Sequence, residues 1–214
     1  MIYDPTVHQR RSIRLKGYDY AQAGAYFVTI CTHKRQPIFG QIVGAGFTPA
    51  QNYQSGQPQG LPRRDANGAG FTSDQNTIMQ LNEFGRIAHE QWMQIPARFE
   101  NVELDEFVIM PNHMHGIIII NETQPVGAGV NPAPTGITNR RLTIGEIVGA
   151  YKSMVANECL QIFKTNKQPM GKLWQRNYYE HIIRDEKSYL TIVQYILDNP
   201  TRWELDSLYL GENP

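Results

Sequence analysis

The chain has 214 residues, of which 41% are hydrophobic, and its 20 basic and 20 acidic residues give a formal net charge of zero. This length can bury one good core, so we expect one domain over residues 1–214. A neutral chain is not expected to coat nucleic acid generally, and the lack of a run of about 18 apolar residues argues against a membrane span. Two distant cysteines and the lack of a visible secretory signal favour the cytoplasm.

Positive charge is concentrated near the N-terminus, where residues 8–16 contain no acidic residue. A short charge run is usually a solvated face, and the alternative is a local path for phosphates. The basic residues of this cluster are Arg10, Arg11, Arg14 and Lys16, and smaller groups follow at Arg140 and Arg141 and at Arg176, Arg184 and Lys187.

The first half of the chain predicts one central strand, one long loop and one helix. Residues 26–32 are β-branched and aromatic, as in a central strand, and residues 36–42 suit its hairpin partner. Residues 43–76 are rich in Gly, Pro, Gln and Asn, so we interpret them as an inserted low-complexity loop. Residues 77–95 carry apolar side chains three to four positions apart, which predicts a helix.

The second half predicts a hairpin, a helix, a short strand and a last helix. The hairpin covers residues 102–121 and is followed by a second low-complexity insertion at 124–138. Thr143 with Glu146 forms a capping box that opens a helix to about Phe163. A strand at 178–184 precedes a helix that starts at Asp185. The fold class that fits this order is α+β, with a ferredoxin-like antiparallel sheet and helices packed on one face.

The turn of the hairpin carries the most informative motif, Pro111-Asn112-His113-Met114-His115. Pro and Asn favour a tight turn, and alternation along a strand places His113 and His115 on one face and Met114 on the other. Two neutral imidazoles on a rigid sheet are half of a divalent-metal site. The alternative is a pair of buried histidines with ordinary hydrogen-bond partners.

The last helix carries a second pair of polar side chains. Tyr195 and Asn199 are four residues apart and therefore lie on the same helical face. If the helix packs on the sheet, Asn199 adds an oxygen ligand, and this N/O shell suits Mg²⁺ or Mn²⁺ better than a structural zinc. The alternatives are a tyrosine that anchors the helix and an asparagine that ends it.

Together these residues resemble a known family. Residues 111–116 and 195–200 are similar to the motifs of the REP-associated tyrosine transposases, which belong to the HUH single-tyrosine nucleases. Residues 10–20, 26–31, 173–175 and 179–184 are similar to that family as well, so the resemblance spans nearly the whole chain outside the two loops.

The resemblance implies a role for each residue of the motifs. His113, His115 and Asn199 would bind a divalent metal, Mg²⁺ or Mn²⁺, and Tyr195 would be the nucleophile. Its phenolate would attack single-stranded DNA at a hairpin and form a 5′-phosphotyrosine link that can later be reversed. The family fold is a ferredoxin-like or RRM-like antiparallel sheet. Related insertion-sequence enzymes resemble homodimers with the tyrosine helix donated in trans, and a monomer acting in cis is equally compatible with this sequence.

Further side chains are candidates for contacts with DNA. Aromatic and basic residues of the C-terminal third can stack on bases and hold phosphates, while core packing is the alternative for the aromatic ones. These candidates are Trp174, Arg176, Tyr178, Tyr179 and Arg184, together with the N-terminal cluster. Glu180 and His181 are the candidates for a general base, with strand-surface residues as the alternative.

Two other classes of function stay open at this point. One is a module that binds a nucleic-acid hairpin without cutting it. The other is a metal-dependent hydrolase that uses the His-x-His pair and a water nucleophile.

Overall fold

A four-stranded antiparallel sheet forms the centre of the computed structural model, which describes residues 17–44, 78–122 and 142–211. The strands are β1 (Gly24–Cys31), β4 (Val102–Met110), β5 (His113–Ile120) and β6 (Tyr179–Ile183), and their order in the sheet is β4-β5-β1-β6. Two further strands, β2 (Gly40–Val43) and β3 (Ile78–Leu81), form a separate two-stranded ribbon.

Helices connect these strands in the order of a ferredoxin-like unit. The helices are α1 (Glu83–Met93), the short α2 (Ile95–Arg98), α3 (Ile144–Thr165) and α4 (Glu186–Asp198). Strand β1, helix α1, hairpin β4–β5, helix α3 and strand β6 follow one another as β-α-β-β-α-β. The predicted α+β fold with a ferredoxin-like antiparallel sheet is confirmed.

The two faces of the sheet bury different helices. One face of β1 presents Tyr26, Val28 and Ile30 to a core that includes Trp92 of α1 and Tyr151 of α3. Helices α1 and α3 therefore pack on one face of the sheet, as predicted. Helix α4 lies on the opposite face, where its buried Val193 and Ile196 contact Phe27 and Ile117. The last helix therefore covers the face on which the histidines lie.

Local signals in the sequence set several boundaries correctly. Thr143 accepts a hydrogen bond from the Glu146 amide, and the Glu146 side chain bonds back to the Thr143 amide, so the capping box opens α3 as predicted. Asp185 caps α4 by accepting a hydrogen bond from the Ser188 amide. The strand predicted near residues 178–184 and the hairpin at 102–121 are confirmed.

Two predictions in the first half were wrong in detail. Strand β2 pairs with β3, not with β1, so residues 36–42 do not form a hairpin with the central strand. Residues 78–81 belong to a strand, and helix α1 begins only after Asn82, whose side chain accepts a hydrogen bond from the Gly85 amide. Strands that are 35 or more positions apart in the chain can pair without any sign in the local periodicity. The periodicity alone therefore placed the start of the helix too early.

The two insertions predicted at 43–76 and 124–138 lie almost entirely outside the described residues, as does the basic cluster of Arg10, Arg11, Arg14 and Lys16. The flanks of the first insertion, β2 and β3, are paired with each other. Within the part of the chain that the structure describes, none of the helices combines the length and hydropathy needed to cross a bilayer.

Candidate active site

The two histidines meet at the start of β5, directly after the Pro111-Asn112 turn. Their Nε2 atoms are 3.0 Å apart, and Met114 points into the core on the other face, as the alternation predicted. The second ring nitrogen of each histidine has its own partner. His113 Nδ1 is 2.8 Å from Asn112 Oδ1, and His115 Nδ1 is 2.8 Å from Thr29 Oγ1. These contacts orient both Nε2 atoms toward the same point, as outer partners of metal-binding histidines do.

Burial keeps both imidazoles neutral. His113 is fully buried and His115 nearly so. Desolvation lowers the pKa of His113 to about 4, against an opposing effect of the Asp206 carboxylate. Desolvation also lowers the pKa of His115 well below its usual value, and the neighbouring His113 adds to this shift. A neutral imidazole is the form that binds a metal ion, so the pair is in the state that this role needs.

Tyr195 lies against this pair. Its hydroxyl is 3.1 Å from His115 Nε2, and it donates to Asp206 Oδ2 at 3.5 Å. The side chain is 45% exposed, so one side of the phenol is open to solvent. Desolvation, with the Asp206 charge as the next cause, raises the pKa of Tyr195 to about 12. The hydroxyl is therefore protonated at neutral pH, and a large molecule in solution can reach it.

Asn199 and Asp206 lie next to the two histidines and Tyr195 and complete the site. Asn199 is buried and donates its Nδ2 to Asp206 Oδ2 at 3.0 Å, while its Oδ1 has no hydrogen-bond partner among the described residues. Asp206 follows the short turn Trp203–Leu205, and the Trp203 ring packs 5.8 Å from the His113 ring. Asp206 was not predicted as a site residue, because no spacing rule connects a residue after the last helix to a motif in β5.

These side chains fit a divalent cation. Candidate ligand atoms of His113, His115 and Asp206 all lie within 4.8 Å of one another. The two Nε2 atoms lie 3.0 Å apart, so one cation could bind both. The buried Asn199 oxygen, which has no hydrogen-bond partner in the described part of the chain, is a further atom that could bind a cation. Nitrogen and oxygen donors without thiolates suit Mg²⁺ or Mn²⁺.

The other predicted residues divide between the core and the surface. Trp174 is 9% exposed, packs with Phe39 and Tyr151, and donates its indole N–H to the Lys152 carbonyl, which favours the core-packing alternative. Tyr178 is partly buried against the same core. Tyr179, Arg176 and Arg184 are exposed, and Tyr179 lies on the histidine face through its pairing with Thr29.

The two candidates for a general base lie on opposite faces of β6. Glu180 pairs with Val28 and is buried on the core side of the sheet, away from Tyr195. His181 pairs with Phe27 and is exposed on the histidine face. Neither forms a hydrogen bond with Tyr195, whose described partners are His115 and Asp206. Asp206 is thus a better candidate than either predicted residue.

Comparisons with known proteins give relatives for this arrangement. No model of a known protein family matches the chain. An uncharacterised protein from Haemophilus influenzae is 39% identical over 214 residues, which cover 97% of each chain. A second protein from that organism, provisionally named a REP-associated tyrosine transposase, is 28% identical over 124 residues, which cover 57% of this chain and 60% of the other.

A solved structure shares the fold. The REP-associated tyrosine transposase bound to a REP hairpin superposes with a TM-score of 0.51 at 15% identity, over 90% of this chain and 74% of that one. The resemblance predicted from the motifs, to the REP-associated tyrosine transposases, is confirmed.

Proposed function

We propose a function from one premise: the chain belongs to the same family as the 39% identical Haemophilus influenzae protein and resembles the REP-associated tyrosine transposases. In this proposal it is a metal-dependent HUH transposase, which cleaves and rejoins single-stranded DNA beside a hairpin. Residues 1–214 form one such domain, with the insertions at 43–76 and 124–138 as additions to it. The observation that carries the proposal is the contact of 3.1 Å between the Tyr195 hydroxyl and an imidazole of the His-x-His pair.

The chemistry begins with Tyr195. Its oxygen attacks the scissile phosphorus and the phenol loses its proton, while the bond to the 3′ oxygen breaks and that oxygen takes up a proton from water. The products are a 5′-phosphotyrosine link and a free 3′-hydroxyl. Because the pKa of Tyr195 is about 12, the proton needs an acceptor as the new bond forms. The Asp206 carboxylate, which already accepts a hydrogen bond from the phenol, is that acceptor in our proposal. Attack of the 3′-hydroxyl on the phosphotyrosine reverses the step, so the strand can be rejoined.

The cation supplies Lewis-acid polarisation of the phosphate when it is bound. His113 and His115 would hold it through Nε2, and Asn199 would hold it through the side-chain oxygen that has no hydrogen-bond partner among the described residues. The Asp206 carboxylate lies within 4.8 Å of the histidine ligand atoms and would be left to accept the proton of Tyr195. The exposed side of Tyr195 leaves room for a phosphate to approach.

Contacts with DNA extend from this site in the proposal. Arg176, Tyr179 and Arg184 lie on or next to β6, which pairs with β1 beside the histidines, whereas Tyr178 packs against the core on the other face. The N-terminal cluster of Arg10, Arg11, Arg14 and Lys16 would hold the backbone of the folded hairpin. Tyr195 meets His115 of its own chain, so we propose that the tyrosine acts in cis, in a monomer or in each subunit of a homodimer.

Incubation with hairpin DNA that has single-stranded flanks, in the presence of Mg²⁺ or Mn²⁺, tests the proposal. We expect a covalent protein–DNA adduct that survives denaturing electrophoresis. Tyr195→Phe should abolish this adduct and leave the hairpin mobility shift unchanged, because it removes only the attacking oxygen. Tyr179→Phe is the matched control and should form the adduct.

Other outcomes identify the alternatives. A mobility shift without an adduct would indicate a module that only binds, and cut DNA without attached protein would indicate a hydrolase. An adduct that persists in Tyr195→Phe and disappears in Tyr178→Phe or Tyr179→Phe would show that one of those residues is the nucleophile instead of Tyr195.

A further inference from the structure

An open groove of about 430 Å³ lies on the histidine face of the sheet, between β6 and the N-terminal half of α4. Phe27, which is almost fully buried, lines the groove, and the exposed Tyr179 and His181 of β6 form one wall. Thr191 and Ile192 of α4 contribute to the opposite wall. The groove therefore combines aromatic and apolar surface with a few polar groups.

The groove is adjacent to Tyr195 through the ring of Phe27, which lines the groove and contacts both Tyr195 and His115. The Phe27 ring is stacked on His115 at 5.4 Å and meets the Tyr195 ring edge-on at 6.1 Å and the Tyr179 ring at 6.4 Å. Thr191 precedes Tyr195 by four residues, so both lie on the same face of α4. A molecule in the groove would thus lie within one side chain's width of the proposed nucleophile.

We infer that this groove binds one unpaired nucleobase, that of a nucleotide joined to the phosphate which Tyr195 attacks. The inference rests on the proposed function and adds a subsite to it. The volume is in the range of small-ligand pockets and accommodates a base with its sugar. Bases of any sequence stack on exposed aromatic rings, and Tyr179 offers such a ring at the mouth of the groove.

The polar lining suits a nucleotide as well. The His181 imidazole and the Thr191 hydroxyl can bond to the edge of a base, and the Lys187 ammonium can pair with a backbone phosphate. The one carboxylate of the lining, Asp185, already accepts the Ser188 amide as the cap of α4. That hydrogen bond gives Asp185 a structural role at the helix end.

An abasic scan of the DNA tests this inference. The base is removed at one position at a time on either side of the cleaved phosphate, and the rate of adduct formation is measured with each oligonucleotide. Stacking of one base is worth enough to change the rate by about tenfold. We therefore expect a decrease of about that size at one position next to the cleaved phosphate, with smaller effects at its neighbours.

Variants of the groove locate the effect. Tyr179→Ala should slow the intact DNA and make the abasic position no slower than the intact one, because the ring that the base stacks on is gone. Thr191→Trp should fill the groove and slow adduct formation. Leu190→Trp is the matched control, since Leu190 is a half-exposed residue of α4 that does not line the groove, and its rate should equal that of the wild type.

A fluorescent base gives a readout that does not depend on catalysis. 2-Aminopurine at the sensitive position should be quenched on binding to Tyr195→Phe, and Thr191→Trp in the same background should prevent this quenching. Equal rates for all abasic oligonucleotides, or equal abasic penalties in Tyr179→Ala and the wild type, would overturn the inference while the adduct upholds the proposed function. Absence of an adduct on every oligonucleotide would overturn the proposed function and this inference with it.

Discussion

Gly116, the residue that follows the His-x-His pair, is enclosed by the core, and Gly116→Ala should destabilise the protein. A Cβ at this position would lie 2.5 Å from Cζ2 and 3.0 Å from Cη2 of Trp92, and 3.1 Å from Cβ of Phe107. Trp92 is fully buried and packs edge-on against Tyr151 at 5.3 Å, so its ring cannot turn away. Either α1 or β5 must therefore move.

The size of the effect follows from this contact. Overpacking of a core costs about 1–3 kcal/mol, and a contact at 2.5 Å with a rigid ring belongs at the upper end of that range. For a chain of this length a loss of about 3 kcal/mol corresponds to a decrease in Tm of roughly 6–12 °C. Displacement of β5 would also move His115, so we expect weaker Mn²⁺ binding in the same variant.

Gly149→Ala is the matched control. Gly149 lies in α3, is exposed, and has nothing within 4 Å of the position where a Cβ would be added. Replacement of a helical glycine by alanine at such a position should stabilise the protein by about 1 kcal/mol. The same chemical change is thus expected to have opposite signs at the two glycines. Urea unfolding at constant pH measures both.

A double-mutant cycle separates the clash from other causes. Trp92→Leu removes both ring atoms that the new methyl would meet, so the cost of Gly116→Ala should be smaller in that background. A change of less than 0.5 kcal/mol (about the uncertainty of additivity) for Gly116→Ala in the wild type would refute the reasoning. So would a cost that is the same with and without the Trp92 ring.

Two further predictions concern the site and the core. Thr29→Val removes the hydroxyl that orients His115 and should weaken Mn²⁺ binding about tenfold in calorimetry; an unchanged affinity in a folded variant would show that the hydroxyl does not orient the ring. Burial raises the pKa of the Cys159 thiol to about 12, so above pH 9 the unfolded chain loses this proton first and stability falls as pH rises. Cys159→Ala should make the decline between pH 9 and 12 shallower by up to about 1.4 kcal/mol per pH unit, measured by urea unfolding at each pH. An identical slope in the variant would contradict this assignment.

The sequence alone was sufficient for features that depend on neighbours in the chain. The turn at Pro111-Asn112, the shared face of His113 and His115, and the capping box at Thr143 were all predicted and are all present. The four-residue spacing of Tyr195 and Asn199 placed both on one helical face, and both contact Asp206. Each of these features is set by backbone geometry over a few residues, which is why a pattern can reveal it.

Tertiary structure decided which of these local pieces meet. Helix α4 packs on the histidine face because Val193 and Ile196 bury against Phe27 and Ile117, and this packing brings Tyr195 to His115. Trp174 became a core residue through contacts with Phe39 and Tyr151, and Asp206 entered the site after a turn that follows the last helix. Such contacts depend on burial and electrostatics between segments far apart in the chain. These contacts form only when the whole sheet is assembled, so the spacing of residues along the chain cannot predict them.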